Sequence, residues 1–142
     1  MDTRSLRILI VDDNPKVRQN LALVLDLAGR NAGVRIEIAG EAGDGREGVA
    51  LAEALRPDVV LMDLEMPVLD GFQAARRIKA GAGSPRVVIL SVHDGPGERE
   101  HARAAGADDY VVKGAPCQNL LSAILGKDGS ANPFDFKKGE KT

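Results

Sequence analysis

The sequence predicts an α/β fold in which a doubly wound, five-stranded parallel sheet carries helices on both faces. Two observations indicate this fold. Short apolar runs alternate five times with amphipathic stretches, which is typical of strands alternating with helices. Four of the five runs are followed by a polar or charged side chain, and ligands of such sheets bind beyond the carboxyl ends of the strands. The 142 residues suffice for one domain of this kind.

The first strand and helix are predicted from an apolar run and a capping signal. The run over 6–11 predicts a mostly buried strand, and Asn14 with Pro15 supplies the cap and the first position of helix one. Glycines between 29 and 33 end that helix. The residues predicted to form its inner face are Val17, Leu21, Val24 and Ala28.

The next strands and helices are predicted from the same alternation of apolar runs and amphipathic stretches. Apolar and charged residues alternate over 34–38 and predict a half-exposed strand two, and Pro57 ends helix two before strand three over 59–62. Strand four is the apolar run over 87–90. Helices two and three are predicted from helical spacing of Gly48, Leu51, Ala52 and Leu55, and of Phe72, Ala75 and Ile78.

The last unit contains a weak helix and a clear one. Helix four, over about 98–105, has no apolar side chain larger than Ala, so we expect little burial to anchor it. Strand five is 110–112, and helix five has an apolar stripe on which the single cysteine, Cys117, is interpreted as a core residue. The other positions of that stripe are Leu120, Leu121 and Ile124. We expect one domain over 1–126 and a flexible tail or linker over 127–142.

Composition and charge exclude several classes of function. The 19 Lys and Arg against 21 Asp and Glu give a formal net charge of −2, so there is no global positive field for a phosphate backbone. Three Phe, one Tyr and no Trp are too few for a stacking platform. No apolar stretch approaches the ~20 residues that span a bilayer. We therefore expect a cytoplasmic protein that binds neither nucleic acid nor membrane directly.

Polar residues stand directly after four of the predicted strands. Asp12 and Asp13 follow strand one, Asp63 follows strand three, Ser91 follows strand four and Lys113 follows strand five. With the strand order 2-1-3-4-5 these four strands are neighbours, and their side chains converge on one pocket. Ser91 alone fits a turn hydroxyl, and Lys113 alone fits a solvated charge. Together with three carboxylates they favour phosphoryl transfer to a carboxylate assisted by Mg²⁺.

At this point the chain resembles the receiver domain of two-component response regulators, from about Leu6 to Leu125, and the resemblance implies a flavodoxin-like fold. The motifs that carry it are Ile-Leu-Ile-Val-Asp12-Asp13, Leu-Met-Asp63-Leu-Glu-Met-Pro67-Val-Leu-Asp-Gly71, Leu-Ser91 and Gly106-Ala-Asp-Asp-Tyr110-Val-Val-Lys113. The resemblance implies that Asp63 accepts a phosphoryl group from a phosphohistidine on a sensor histidine kinase or a phosphotransfer protein. It also implies that such a chain is a switch and catalyses only its own phosphorylation and dephosphorylation.

The resemblance assigns a role to each remaining site residue. Asp13, Asp63 and the backbone carbonyl of Glu65 are expected to ligate Mg²⁺, with Asp12 supporting the metal. Lys113 is expected to pair with the phosphoryl group.

Two further residues are expected to carry the switch. Ser91 moves toward the phosphoryl group, and Tyr110 swings into the space that Ser91 leaves. The face formed by helix four, strand five and helix five then changes for a downstream protein partner or for a second copy of the chain.

One departure from the family pattern indicates a subclass. Gly114 follows Lys113 where the family usually has proline, and this variant resembles receivers of the LuxR/NarL type, which are attached to a helix-turn-helix DNA-binding domain. No such domain is expected in these 142 residues. One alternative is therefore that the chain is the regulatory half of a DNA-binding transcription factor.

A second, remote alternative is a Rossmann-type dinucleotide binder. The segment 43–48 reads G-x-G-x-x-G after a strand and before a helix, and Asp63 lies twenty residues beyond Gly43. The motif follows strand two instead of strand one, however, and it leaves the other strand-end residues unexplained. A turn into helix two made by Asp44 and Gly45 is the simpler interpretation.

Overall fold

Five strands and five helices alternate along the chain in the computed structural model, which describes residues 4–66, 68–81 and 83–126. The predicted tail over 127–142 lies outside the described residues. The strands are β1 (Arg4–Val11), β2 (Val34–Ala42), β3 (Val59–Asp63), β4 (Arg86–Ser91) and β5 (Asp109–Val112). The helices are α1 (Pro15–Ala32), α2 (Gly45–Leu55), α3 (Gly71–Ala80), α4 (Pro96–Ala104) and α5 (Cys117–Leu125).

The sheet is parallel throughout, and its order is β2-β1-β3-β4-β5, which confirms the predicted topology. Val11 pairs with Met62 and Asp63 pairs with Leu90, so the carboxyl ends of β1, β3 and β4 lie side by side. This register brings the polar residues that follow the strands to one edge of the sheet. The pairing of β1 with β2 shifts register between Ile8 and Leu9, and β2 continues beyond the alternating stretch 34–38 to Ala42.

Two apolar layers cover the two faces of the sheet, as predicted. One layer packs α2, α3 and α4 against the sheet, and its helical members are Ala52, Ala74, Ala75, Ile78 and Ala102. The other packs α1 and α5 against the opposite face, and its helical members are Leu25, Leu120, Ala123 and Ile124. No helix within the described residues is long and apolar enough to cross a membrane.

The inner face of α1 differs from the predicted one at a single position, since Leu21 packs against the apolar layer as predicted but Leu25 takes the place of Val24. Leu25 is buried, whereas Val24, predicted to face the core, is 39% exposed. Close packing explains the shift, because a Cβ on Gly29 would lie 2.6 Å from the Val34 carbonyl oxygen. The helix therefore turns its glycine and Leu25 to the sheet, and Leu23 and Leu27 face solvent.

The glycine-rich segment before α2 is a capping turn with tight packing, as the simpler interpretation predicted. The Asp44 side chain accepts a hydrogen bond from the Glu47 N–H, and the Glu47 side chain accepts one from the Gly43 N–H. A Cβ on Gly45 would lie 2.1 Å from the carbonyl oxygen of Leu69. Protein backbone therefore packs against the start of α2, where a dinucleotide would need to approach.

The structure confirms the prediction for α4 and corrects the one for the start of α5. In α4 only Ala102 is buried, as the composition predicted, and the His101 ring stacks on Phe72 with 3.8 Å between centroids. Cys117 was predicted to lie in the core, and that prediction was wrong, because the side chain is exposed. It occupies the first turn of α5, and the helix buries its stripe only from Leu120 onward.

Candidate functional site

The polar residues predicted from the strand ends meet in one open cleft at the carboxyl edge of the sheet. The cleft has a volume of about 280 Å³. Its lining residues are Asp12, Asp13, Asn14, Val17, Asp63, Glu65, Ser91, Val92 and Lys113. Of the predicted site residues only Tyr110 lies outside this lining, in the neighbouring part of β5.

Three carboxylates form the floor of the cleft. Asp12 and Asp63 are almost fully buried, Asp13 is exposed, and one oxygen from each of the three lies within 4.8 Å of the others. Adjacent strands produce this cluster, because Asp12 and Asp13 directly follow β1 and Asp63 ends β3. Three negative charges so close together repel one another unless a cation joins them. A hard divalent cation that prefers oxygen ligands fits this donor set.

Three hydrogen bonds, one from Asn14 and two from Arg18, fix the loop that carries Asp12 and Asp13. The N–H of Asn14, which caps α1, donates to Asp12 Oδ1 at 2.9 Å. The Arg18 guanidinium donates to the Asp12 carbonyl oxygen at 2.6 Å and to Glu41 Oε1 at 2.9 Å, so it ties the loop to the end of β2. The sequence interpretation missed Arg18. No spacing signal identifies it, because its role depends on how closely Glu41 approaches α1.

Lys113 provides the positive charge of the cleft. Its Nζ lies 2.9 Å from Asp63 Oδ1 and 3.3 Å from Asp12 Oδ2. Burial lowers the pKa of Lys113, but the two carboxylates outweigh burial and leave that pKa above its usual value. The amine therefore stays protonated as a counter-charge.

The environment of the Asp63 carboxyl group disfavours its negative charge. Burial raises the pKa of Asp63 above its usual value, the Lys113 hydrogen bond opposes that rise, and the charges of Asp12 and Asp13 add to it. A carboxylate that is buried beside other carboxylates is stabilised by any further positive charge brought into the cleft. The environment of Asp63 therefore favours binding of a cation.

Ser91 and the residues around it form the rim of the cleft. The Ser91 hydroxyl is buried and accepts the His93 N–H at 3.0 Å, while the Ser91 carbonyl accepts the Lys113 N–H at 2.7 Å. The exposed Glu65 carboxylate lies 2.6 Å from His93 Nε2. This carboxylate therefore pairs with the His93 ring, and the expectation for Glu65 concerns its backbone carbonyl alone.

Tyr110 connects to the cleft through the β4–α4 segment. Its side chain is buried, 3% exposed, and its hydroxyl donates to the His93 carbonyl oxygen at 2.7 Å. Burial raises the pKa of the Tyr110 phenol. Since His93 also donates its N–H to Ser91, two hydrogen bonds join the predicted switch residues.

The turn after β5 uses glycine in a conformation that proline cannot adopt. Gly114 has φ of +92°, a left-handed backbone conformation that favours glycine, whereas proline is fixed near −65°. The glycine that departs from the family pattern therefore sets a different turn beside Lys113. No peptide bond of the described residues is cis.

Comparisons with known proteins identify the family of the chain. The family model for the response regulator receiver domain matches residues 8–125. The transcriptional regulatory protein PdtaR of Mycobacterium tuberculosis is 42% identical over 118 residues, which are 83% of this chain and 54% of that protein. The nitrate/nitrite response regulator protein NarL of Escherichia coli is 33% identical over 117 residues, 82% of this chain and 52% of that protein.

A solved structure gives the same result at the level of the fold. A two-component response regulator of the LuxR family from Aurantimonas sp. SI85-9A1 superimposes with a TM-score of 0.77 at 34% identity. The match covers 86% of this chain and 84% of that one. The chain spans about half the length of the curated relatives it matches.

Proposed function

This chain belongs to the response regulator receiver domain family and is a receiver domain of two-component response regulators, and on that premise we propose that Asp63 is its phosphoryl acceptor. One observation carries the proposal. The Asp63 carboxyl group lies on the floor of an open cleft, against two further carboxylates and 2.9 Å from a lysine ammonium. These are the groups that bring an anionic donor and a carboxylate nucleophile together.

The proposed reaction transfers a phosphoryl group from a phosphohistidine of a sensor histidine kinase or a phosphotransfer protein. A carboxylate oxygen of Asp63 bonds to phosphorus, the bond from phosphorus to the imidazole nitrogen breaks, and its electron pair returns to that nitrogen, which takes up a proton. Lys113 and the Ser91 hydroxyl line the same cleft and are placed to bind the phosphoryl oxygens. The chain acts as a switch and catalyses only this transfer and the hydrolysis of the resulting acyl phosphate, in which water takes the phosphoryl group as inorganic phosphate and the Asp63 carboxylate is released.

We propose Mg²⁺ as the cofactor, with Asp13, Asp63 and the backbone carbonyl of Glu65 as ligands and Asp12 in support. The carboxylate oxygens that come within 4.8 Å of one another fit an ion that prefers oxygen ligands. When bound, Mg²⁺ supplies positive charge that offsets the repulsion between Asp63 and the incoming phosphoryl group.

The exposed apolar residues of α1 support a protein as the phosphoryl donor. This helix begins at the cleft, and Leu23 and Leu27, one turn apart, are 70% and 62% exposed. Apolar side chains exposed side by side are typical of a protein contact surface. We therefore infer that the donor protein binds along α1 while its phosphohistidine enters the cleft.

The output of the switch is a second proposal. We propose that 1–126 is the receiver unit and that it acts on a downstream protein partner, a second copy or an attached output region. Three observations support this range of outputs: the family match ends at residue 125, α5 ends at Leu125, and the match covers only about half of the relatives' length. PdtaR is a transcriptional regulatory protein by name, which favours control of transcription as the output.

The test of the acceptor is intact-mass measurement after incubation with a small phosphodonor and Mg²⁺. We expect the native chain to gain one phosphoryl group and the Asp63→Asn variant to gain none, because the amide keeps the shape and loses the nucleophile. The Asp109→Asn variant is the control, since Asp109 is also buried but lies outside the cleft. Equal labelling of the Asp63→Asn variant and the native chain contradicts the proposal.

A further inference from the structure

Each polar atom of the buried Asp12 has its own hydrogen-bond partner. Its N–H donates to the Ala42 carbonyl oxygen at 3.0 Å, and its two carboxylate oxygens accept from the Asn14 N–H at 2.9 Å and from Lys113 Nζ at 3.3 Å. The fourth atom, the carbonyl oxygen, accepts from Arg18 Nη1 at 2.6 Å. This carbonyl belongs to the peptide bond that leads to the next residue, so its position sets where the carboxylate of Asp13 can lie.

Arg18 is itself held by an acid near the end of the edge strand β2. Its Nε donates to Glu41 Oε1 at 2.9 Å, and the Arg18 side chain is 19% exposed. Ala42, which accepts the Asp12 N–H, is the next residue of that strand. The end of β2 therefore holds Asp12 twice, directly through a backbone hydrogen bond and indirectly through the Arg18 side chain.

A guanidinium is suited to making both of these side-chain contacts at once. It has five N–H donors in a rigid plane, and here one donor bonds a carbonyl after β1 while another bonds a carboxylate of β2. A lysine ammonium is a point charge on a flexible stem and fixes no such direction. Arginine at position 18 therefore sets the spacing between the ends of β1 and β2.

The charge of Arg18 and its position have opposite effects on a cation in the cleft. The three clustered carboxylates attract a cation, and a guanidinium bonded to the same loop adds a positive charge nearby, which Glu41 offsets in part. By charge alone, loss of Arg18 would strengthen cation binding. By position, its loss frees the loop and weakens binding. The sign of the change therefore separates the two effects.

We propose that Arg18 is a positioning residue of the metal site, which together with Glu41 holds the loop of Asp12 and Asp13 in the geometry that binds Mg²⁺. The inference rests on the Mg²⁺ site proposed above. Arg18 is not among the residues that line the cleft, so it acts through the Asp12 carbonyl and not by contact with the ion.

Calorimetric titration with magnesium chloride tests this role in the native chain and in Arg18→Gln, Arg18→Lys, Glu41→Gln and the double variant Arg18→Gln/Glu41→Gln. The matched control is Arg7→Gln. Arg7 also donates to backbone carbonyls, those of Leu55 and Arg56, but lies outside the lining of the cleft. Urea denaturation of each variant without metal shows that it is folded and how far its stability has changed.

We expect Arg18→Gln to lower the Mg²⁺ affinity about tenfold, since outer partners of metal ligands are worth 10–100-fold. Arg18→Lys should lie between Arg18→Gln and the native chain, because lysine keeps the charge and loses the planar fork. The double variant should resemble Arg18→Gln, because Glu41 acts through Arg18. Arg7→Gln should keep the native affinity even where it unfolds at lower urea.

Amide exchange in the absence of metal gives a second readout that does not depend on Mg²⁺. The N–H groups of Asp12 and Asn14 both belong to the network that Arg18 completes. We expect them to exchange faster in Arg18→Gln than in the native chain, while the amides of the central strand β4 keep their native rates. Arg7→Gln should leave the rates at Asp12 and Asn14 unchanged.

Three results would overturn the proposal, and they can be told apart. Native or higher Mg²⁺ affinity in folded Arg18→Gln would show that the residue acts through its charge or not at all. An equal loss of affinity in Arg7→Gln would trace the effect to general stability. A native chain that binds no Mg²⁺ would contradict the proposed metal site itself and, with it, this role of Arg18.

Discussion

Asp63 is buried, and its carboxyl group lies beside two other carboxylates and a lysine ammonium. Two carboxylates lie within 4.8 Å of its own, and Lys113 Nζ lies 2.9 Å away. Burial raises the pKa of Asp63, and the lysine opposes that rise without removing the repulsion from the two acidic neighbours. At the scale of single residues, the charges of the cleft therefore favour the joint binding of a divalent cation and an anionic phosphoryl group.

Removal of Asp13 should weaken Mg²⁺ binding. In Asp13→Ala one of the three clustered carboxylates is lost, and we expect the affinity to fall at least about tenfold, since even outer partners of metal ligands are worth 10–100-fold. Calorimetric titration measures the affinity directly. The control is Glu98→Gln, which removes an acid from α4, outside the cleft. Unchanged Mg²⁺ affinity in Asp13→Ala would contradict the proposal that Asp13 is a ligand of the metal.

A second buried acid provides a prediction on pH dependence. Burial raises the pKa of Asp109 above its usual value of 3.8, although the Tyr110 N–H and Arg86 oppose the rise. The folded protein then binds more protons than the unfolded chain between 3.8 and the folded pKa. The contribution of Asp109 to the free energy of unfolding therefore falls as pH rises through this window.

The Asp109→Asn variant removes this titration. From about pH 4 to about pH 7 its free energy of unfolding should rise relative to that of the native chain, as measured by urea denaturation at each pH. A relative free energy that declines over the same range would mean that the buried carboxylate stabilises the fold.

At the scale of elements, the sequence predicts where strands and helices begin more reliably than which side of a helix faces the sheet. Pro15 and Asp44 mark two helix starts that the structure confirms. Spacing alone assigned Val24 to the core, and packing of Gly29 on the carbonyl of Val34 turned α1 so that Leu25 took that place. Such a rotation depends on contact between two elements, which periodicity within one element does not contain.

Two glycine substitutions should change stability in opposite directions. In Gly45→Ala the new Cβ would meet backbone at 2.1 Å, so we expect a loss of about 1–3 kcal/mol. In Gly97→Ala, within the first turn of α4, nothing lies within 4 Å of the new Cβ, and we expect a gain of about 0.4–1 kcal/mol. Urea denaturation measures both, and changes of the same sign would contradict the packing described for α2 and α4.

At the scale of the whole molecule, topology explains why the site could be predicted. Polar residues after four strands identify a site only if those strands are neighbours, and the order β2-β1-β3-β4-β5 makes them so. The sequence therefore indicated Asp12, Asp13, Asp63, Ser91 and Lys113. It did not indicate the bridge from Arg18 to Glu41 or the contact of the Arg99 guanidinium with the Tyr110 ring. Each of those contacts joins long side chains from separate segments.

The exposed face of α1 leads to a prediction about the donor protein. Leu23→Ser and Leu27→Ser should each slow transfer from a phosphorylated histidine phosphotransfer domain about fivefold to tenfold, the effect of losing about 1 kcal/mol of contact energy. Labelling by a small phosphodonor should stay at the native level, because both residues lie outside the cleft. Native rates of protein-to-protein transfer in both variants would place the docking surface elsewhere.

The position of the phosphoryl group is the most direct test that the acidic cleft is a phosphoacceptor site. Borohydride reduces an acyl phosphate of aspartate to homoserine, and peptide mass spectrometry of the phosphorylated, reduced chain locates the converted residue. We predict homoserine at position 63 alone, and only when Mg²⁺ was present during phosphorylation. Conversion of Asp12, Asp13 or any acid outside the cleft, with position 63 left as aspartate, would contradict the assignment.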